Sequence, residues 1–293
     1  MLPEFEYQRP ASLAEALDLM ADGSPDASPL GGGTNLVVDM RSGRNTPATL
    51  IDLRDIDELR GIRLEDDHVV LGGGVTIAEV LGSELIARHS PFLAEAASLF
   101  GNPLLRNRAT VGGNLADASP AADMAVPLLA LGAEVELASK SGSRQVPLDE
   151  FMIGVRRTIR RGDELLTRIR WPVPSSDSTG GFYKIGLRKA DTISIVSVAV
   201  MVGSDESGRC SSVRIALGAV APKPMRAVDA EAMLTGSVLD ARAIDAAARV
   251  AADATQPIDD VRASASYRRR MAETLVRRLL TNAVGLTSDQ EAS

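Results

Sequence analysis

The sequence predicts an α+β protein whose first part mixes helices with strands and whose last part places strands before helices. Three observations predict this class. Helical and strand-like patterns alternate over residues 12–171, the Pro-, Ser- and Gly-rich stretch PVPSSDSTGG then marks a domain boundary, and strand-like runs beyond it give way to an Ala- and Arg-rich helical region. At 293 residues and 45% apolar composition, the chain can form about two domains with real cores.

Residues 1–55 are predicted to form a small α/β subdomain. Ser12 and Glu15 have the spacing of a capping box, and apolar residues follow at helical intervals, so we expect a helix over 12–21. The stretch ATLIDL (48–53) predicts a strand.

Residues 56–175 are predicted to form a middle domain and residues 180–287 a C-terminal domain. A second capping box at Thr76 and Glu79 predicts the start of a helix in the middle domain. The first half of the segment 101–137 holds too many Gly, Asn, Pro and Ser residues to be one regular element. The other elements predicted from periodicity are helices 76–88, 91–100 and 123–131, strands 62–71, 133–138, 164–171, 182–188, 193–203 and 210–219, and mostly helical structure from about Arg226.

Composition excludes several classes of metal chemistry. The chain has one cysteine, Cys210, and two histidines, His68 and His89, so it cannot form an intramolecular disulfide, a Cys-ligated zinc or iron–sulfur site, or a multi-His metal site. A net charge of −7 and a pI of about 5.1 argue against a general nucleic-acid binder. The sequence shows neither a leader pattern nor an apolar run of membrane-spanning length, so we expect a soluble cytoplasmic protein.

Two glycine-rich stretches are the candidate functional features: residues 31–35 (GGGTN), the first segment, and residues 110–114 (TVGGN), the second segment. Glycine lets a ligand approach the main chain, and consecutive N–H groups in such a loop suit a pyrophosphate. A tight turn is the alternative for either segment, and neither fits the Rossmann or P-loop pattern. Together they favour a dinucleotide-like ligand. Asp123, beyond the second segment, would either stabilise a helix start or bind sugar or ribityl hydroxyls.

Four stretches carry a resemblance to a known family: LGGGTNL (30–36), RNRATVGGNLADASPAADMAVPLLALGAEVEL (106–137), FYKIGLRKADTISIVSVAV (182–200) and PIDDVRASASYRRRMAETLVRRLL (257–280). They occur in family order, and the chain closely resembles the medium, FAD-binding subunit of molybdenum hydroxylases, which include carbon monoxide dehydrogenase and xanthine dehydrogenase. The resemblance implies a two-part, vanillyl-alcohol-oxidase-like (PCMH-type) FAD-binding domain and a C-terminal domain of antiparallel sheet and helices.

The resemblance also implies residue roles. The two segments match the family's two pyrophosphate loops, Asp123 would hold ribityl or ribose hydroxyls, and Ile193 would shield one flavin face. For Lys184 a cofactor contact and an exposed strand position are both open, and for Ile193 ordinary core packing is the alternative. The implied cofactor-binding set is Gly31, Gly32, Gly33, Thr34, Asn35, Phe100, Ala109, Thr110, Gly112, Gly113, Asn114, Asp123, Leu166, Lys184 and Ile193.

Finally, the resemblance implies a division of labour between chains. Electrons would pass from a molybdopterin site in a large subunit to 2Fe–2S clusters in a small subunit and then to the FAD of this chain. FAD would pass them to NAD, a quinone, a cytochrome or oxygen. We expect non-covalent FAD, because the first segment contains no histidine. We also expect that this chain supplies no catalytic side chain and no metal ligand, and that the complex is a dimer of heterotrimers. The alternatives are a stand-alone FAD-dependent oxidoreductase of the same fold and a non-catalytic assembly subunit.

Overall fold

The computed structural model of the chain describes residues 2–188 and 191–286. The final residue of the expected C-terminal domain, Thr287, lies outside these residues. The described chain contains three-, five- and four-stranded sheets and one small hairpin.

A three-stranded parallel sheet in the order β1-β3-β2 begins the fold. The Ser12 hydroxyl accepts the Glu15 N–H at 3.2 Å, which confirms the predicted first capping residue. Helix α1 buries Ala16 and Met20 against Ile51 of the sheet. The elements of this N-terminal unit are β1 (Glu6–Gln8), α1 (Leu13–Gly23), β2 (Ala27–Leu30), α2 (Leu36–Arg41) and β3 (Thr49–Asp52).

The middle domain is built on a five-stranded antiparallel sheet in the order β4-β5-β10-β6-β7. The elements are β4 (Ile62–Glu65), β5 (His68–Gly72), α3 (Ile77–Gly82), α4 (Glu84–His89), α5 (Pro91–Ser98), α6 (Pro103–Arg106), α7 (Val111–Asp117), α8 (Ala125–Leu131), β6 (Glu134–Ser139), β7 (Gly142–Pro147), α9 (Leu148–Phe151), β8 (Met152–Gly154), β9 (Arg157–Thr158) and β10 (Leu165–Pro172). A 3-10 helix, Asp57–Leu59, precedes them. Trp171 is fully buried in this core, where its ring N–H donates to Ser90 at 2.9 Å.

Some predicted boundaries in the middle domain are wrong for local reasons. The single strand over 62–71 is a hairpin of β4 and β5, because Asp66 adopts φ +49° in a tight turn. The single helix over 76–88 is two helices, because Ser83 leaves the helical conformation and its hydroxyl caps α4 at the Ile86 N–H. The irregular first half of 101–137 contains two short helices, α6 and α7.

The C-terminal part is a four-stranded antiparallel sheet with three helices, as expected from the strand-then-helix pattern. Its elements are β11 (Ser178–Ile185), β12 (Val196–Ser204), β13 (Cys210–Gly218), β14 (Met225–Arg226), α10 (Val228–Leu234), α11 (Ala241–Asp253) and α12 (Ala265–Ala283). Helix α12 packs on β12, and α8 of the middle domain also packs on β12 and β13. Helices on both faces explain why β12 is almost entirely buried.

Within the residues that the structure describes, no helix is both long enough and apolar enough to cross a membrane.

Candidate functional site

A cleft of about 1030 Å³ lies between the N-terminal unit and the middle domain. Both glycine segments line it, together with Phe100, Ala109 and Leu166. The structure therefore brings together all the residues of the predicted cofactor-binding set except Asp123, Lys184 and Ile193. A cleft between two domains is a common position for a ligand site.

The first segment connects the end of β2 to the start of α2. The backbone N–H groups of residues 31–36 have no hydrogen-bond acceptor among the described residues. Gly33 adopts φ +74°, which turns the chain into the helix at low cost only because it has no side chain. Asn35 precedes the helix without capping it. This arrangement leaves a run of donors at a helix start, which suits an anionic ligand.

The second segment differs, because it is the start of a helix whose N–H groups are occupied. The Thr110 hydroxyl caps α7 by accepting the Gly113 N–H at 3.0 Å. Val111 N–H donates to Val75 O at 2.9 Å, and Gly112 N–H donates to Gly73 O at 3.1 Å. The expectation that consecutive free N–H groups would also form an anion-binding loop here is wrong. The donors that remain without an acceptor among the described residues are the Thr110 N–H and hydroxyl and the Asn114 side-chain amide.

Glycines allow the two segments to meet. A Cβ atom on Gly32 would lie 1.7 Å from the Arg108 carbonyl oxygen, just before the second segment. A Cβ atom on Gly31 would lie 3.1 Å from the Thr110 hydroxyl, and one on Gly112 would lie 2.4 Å from the Gly73 carbonyl. Because these glycines have no Cβ atoms, their backbone can lie against the neighbouring backbone at the floor of the cleft.

A third glycine run, residues 72–74, packs closely against neighbouring backbone, and Gly73 and Gly74 also line the cleft. The Gly73 N–H donates to Thr167 O at 2.7 Å, and the Gly74 N–H donates to Leu59 O at 2.8 Å. A Cβ atom on Gly73 would lie 2.2 Å from the Leu166 carbonyl. This close contact holds Leu166 in the cleft wall.

Sequence reasoning missed a charged network at the cleft. Asp39 of α2 is buried and pairs with Arg44 at 2.7 Å and also with Arg156. Arg156 reaches Asp117 at the end of α7 at 2.9 Å. Burial raises the pKa of Asp117, and the Arg156 charge only partly offsets this. Arg156 belongs to a run of arginines that by composition alone favours a solvated face, so no local pattern identifies its partners.

Asp123, Lys184 and Ile193 lie outside the cleft lining. The Lys184 ammonium contacts the Asp123 carboxylate at 2.5 Å and the Leu99 carbonyl at 3.2 Å. The Ser194 hydroxyl donates to the other Asp123 oxygen at 2.6 Å. Burial raises the pKa of Asp123 more than Lys184 and Ser194 lower it. This buried cluster joins the C-terminal sheet to the middle domain, whereas Ile193 is 59% exposed.

Comparison with known proteins identifies the two halves. Residues 3–174 match the family described as "FAD binding domain in molybdopterin dehydrogenase", and residues 181–283 match "CO dehydrogenase flavoprotein C-terminal domain". The carbon monoxide dehydrogenase medium chain of Afipia carboxidovorans is 36% identical over 97% of this chain and 98% of its own length. The xanthine dehydrogenase FAD-binding subunit of Escherichia coli O157:H7 is 31% identical over 95% of each chain.

The fold comparison agrees. A solved structure of carbon monoxide dehydrogenase from Hydrogenophaga pseudoflava superposes with a TM-score of 0.94 at 34% identity, covering 98% of this chain and 100% of that one. The predicted two-part FAD-binding fold with a C-terminal sheet-and-helix domain is therefore confirmed.

The cleft fits FAD on its own geometry. The unpaired N–H groups of residues 31–36 match the charge of a pyrophosphate, and Phe100 and Leu166 supply apolar wall for rings. Of the three carboxylates that line the cleft, Asp39 and Asp117 are paired with Arg156, and Glu79 accepts hydrogen bonds from the Thr76 N–H and hydroxyl. The chain belongs to the family of FAD-binding subunits of molybdopterin dehydrogenases, and it is an oxidoreductase subunit.

Proposed function

We propose that this chain is the electron-transfer subunit of a heterotrimeric molybdenum hydroxylase. When bound, FAD supplies the redox chemistry, accepting electrons from 2Fe–2S clusters of a small partner subunit and passing them to an external acceptor. A large subunit holds the molybdopterin, and the complex is a cytoplasmic dimer of heterotrimers. Relatives named as medium chains of carbon monoxide dehydrogenase and as a medium subunit of nicotine 6-hydroxylase support this assignment.

The observation that carries the proposal is the run of unpaired backbone donors at the cleft. The N–H groups of residues 31–36 hold the pyrophosphate, and Thr110 and Asn114 add side-chain donors from the opposite side. Apolar wall residues Phe100 and Leu166 exclude water from the rings. With the proposed domain division at 1–55, 56–175 and 180–287, this cleft lies between the first two domains.

The remaining members of the binding set have less direct support. Gly112 and Gly113 let the backbone of the second segment approach, and Ala109 lies beside it in the cleft lining. Asp123, Lys184 and Ile193 are proposed as flavin-side residues on family resemblance. The buried cluster of Asp123, Lys184 and Ser194 reaches the cleft wall through Lys184, which donates to the carbonyl of Leu99, the residue before Phe100.

The proposed FAD is non-covalent. Covalent flavin attachment in this fold uses a nucleophilic side chain, often histidine, at the ring. The residues lining the cleft include no His or Cys. With one cysteine in the sequence, the chain also depends on another subunit for iron–sulfur clusters.

The first experiment is a visible absorption spectrum of the full chain purified gently from its native host, with the released cofactor identified. The expected result is flavin and iron–sulfur absorbance, two co-purifying chains, and FAD released by mild denaturation. Flavin on a lone chain that turns over substrate would replace the proposal with the stand-alone enzyme. A colourless chain that carries both partners and fails to bind added FAD would replace it with the assembly role.

A substitution in the second segment tests the position of the cofactor. Gly113→Asp places a carboxylate at the cleft, where a Cβ atom would lie 2.8 Å from the Thr110 hydroxyl. Like-charge repulsion with the pyrophosphate is expected to weaken FAD binding by more than about tenfold in a titration of the apoprotein. Gly82→Asp is the matched control, because a Cβ atom there meets nothing within 4 Å. Equal FAD affinity of the two variants would remove this segment from the site.

A further inference from the structure

Arg156 connects the two helices that begin at the glycine segments. Its guanidinium pairs with Asp39, four residues beyond Asn35 on α2, and with Asp117, the last residue of α7, at 2.9 Å. The Asn35 amide also lies beside Asp117, since it helps to lower the pKa of that carboxyl against the effect of burial. One side chain thus bridges the N-terminal unit and the middle domain across the cleft.

The backbone around Arg156 is held for this contact. Arg156 adopts φ +55°, a conformation that non-glycine residues rarely take, in the turn between β8 and β9. Its N–H donates to the Ala118 carbonyl at 2.9 Å, directly after α7. Asp39 is 5% exposed and keeps a second cation, Arg44, on its other oxygen. A strained turn fixed to the end of α7 fits a dedicated role, because strain persists where surrounding contacts determine it.

We propose that Arg156 is a positioning residue that sets the relative position of α2 and α7, the helices that begin at the two glycine segments, and through it the shape of the pyrophosphate cradle. The inference rests on the proposed function, because it assumes that the cleft binds FAD. Arg156 acts on the cofactor through Asp39 and Asp117, and its charge is already balanced by these carboxylates. A direct charge contact between Arg156 and the pyrophosphate is the competing explanation, and it predicts different results.

The test measures ligand binding to the full chain as apoprotein. Arg156→Gln is compared with Arg157→Gln, which removes the same charge from the neighbouring exposed residue of the hairpin. Three probes are titrated: FAD, ADP and riboflavin. Arg156→Gln is expected to weaken FAD and ADP binding about 3- to 30-fold and to leave riboflavin binding unchanged, because only the pyrophosphate cradle is altered. Arg157→Gln is expected to match the wild type.

The sign of a second variant separates positioning from direct charge contact. Asp117→Ala removes a negative charge from the cleft. If Arg156 contacts the pyrophosphate directly, this variant binds FAD more tightly than the wild type. If Arg156 positions the helices, Asp117→Ala weakens FAD binding, and the double variant with Arg156→Gln is no weaker than the worse single variant. Arg156→Lys keeps the charge without the planar fork and is expected to restore part of the affinity.

The two proposals fail in different ways. Wild-type apoprotein that binds neither FAD nor ADP overturns the proposed function. Wild-type binding with unchanged FAD and ADP affinity in Arg156→Gln overturns the positioning role alone, as does tighter binding by Asp117→Ala. Far-UV circular dichroism shows whether Arg156→Gln is folded. If it is unfolded, the FAD and ADP affinities of Arg156→Lys are compared with those of the wild type instead, and unchanged affinities overturn the positioning role.

Discussion

The two glycine segments have similar sequences, GGGTN and TVGGN, yet their backbone N–H groups are used differently. In the first, the N–H groups of residues 31–36 have no acceptor among the described residues. In the second, the N–H groups of residues 111–114 donate to the carbonyl oxygens of Val75 and Gly73 and to the hydroxyl and carbonyl oxygens of Thr110. The first segment therefore leaves donors free for an anion, which supports its proposed contact with the pyrophosphate. The second is built to hold the floor of the cleft and contributes side-chain donors.

Separating the segments should have the largest effect. Gly32→Ala places a methyl group 1.7 Å from the Arg108 carbonyl oxygen, and backbone must move to accommodate it. We expect a loss of about 3 kcal/mol or more in the free energy of unfolding and loss of FAD binding. Urea unfolding and FAD titration measure the two effects. Gly82→Ala, which meets nothing within 4 Å, should change neither. Wild-type affinity in Gly32→Ala would show that the contact between the segments does not shape the site.

The difference between the two glycine segments also shows which features of the fold and the site can be predicted from the sequence. Capping residues and apolar periodicity located α1, α5 and β3, because those signals are local. The glycine segments were found as candidates because glycine enrichment is also visible locally. Their different roles were not predictable, because the N–H groups of the second segment donate to the carbonyls of Gly73 and Val75, which lie far from it in sequence.

Charged residues of the site were the least predictable. Arg156 lies in an arginine-rich run, and only the folded chain shows that it pairs with Asp39 and Asp117. Asp123 was found as a candidate from its position after the second segment, but its partners were not. Only the folded chain shows that its two oxygens accept from Lys184 and Ser194. Ion pairs between residues far apart in sequence leave no pattern at either position.

A smaller effect on stability is expected from Asp52, which lies beside the strand that leads into the first segment. Asp52 pairs with Leu30, the last residue of β2, in the parallel sheet, and its carboxylate accepts from Tyr7 and from Arg54 at 2.7 Å. Although burial raises it, hydrogen bonds from Arg54 and Tyr7 lower the pKa of Asp52 to about 2 from 3.8. Asp52→Asn should therefore lower the free energy of unfolding at pH 7 by about 2 kcal/mol.

The pH dependence of this prediction has a definite sign. A carboxyl with a depressed pKa in the folded chain binds its proton more readily when unfolded. Its stabilising contribution is complete above about pH 4 and is lost as the pH falls to about 2. Hydrogen bonds from Arg144 and Arg161 likewise lower the pKa of Glu164 to about 2 against the effect of burial, but Glu164 is present in both the wild type and the Asp52→Asn variant. The difference between the two unfolding curves over pH 2–4 should therefore isolate Asp52, and parallel curves would contradict this assignment.

The smallest change distinguishes the segments most directly, because each contains one threonine. Thr110→Val removes the cap of α7 at Gly113 and should cost about 1 kcal/mol of stability together with some FAD affinity. Thr34→Val removes a hydroxyl that has no protein partner among the described residues, so stability should stay within about 0.5 kcal/mol while FAD affinity falls. Thr110→Ser keeps the cap and should behave as wild type. If Thr34→Val lost as much stability as Thr110→Val, the first segment would also hold the fold together, and its unpaired donors would no longer separate binding from packing.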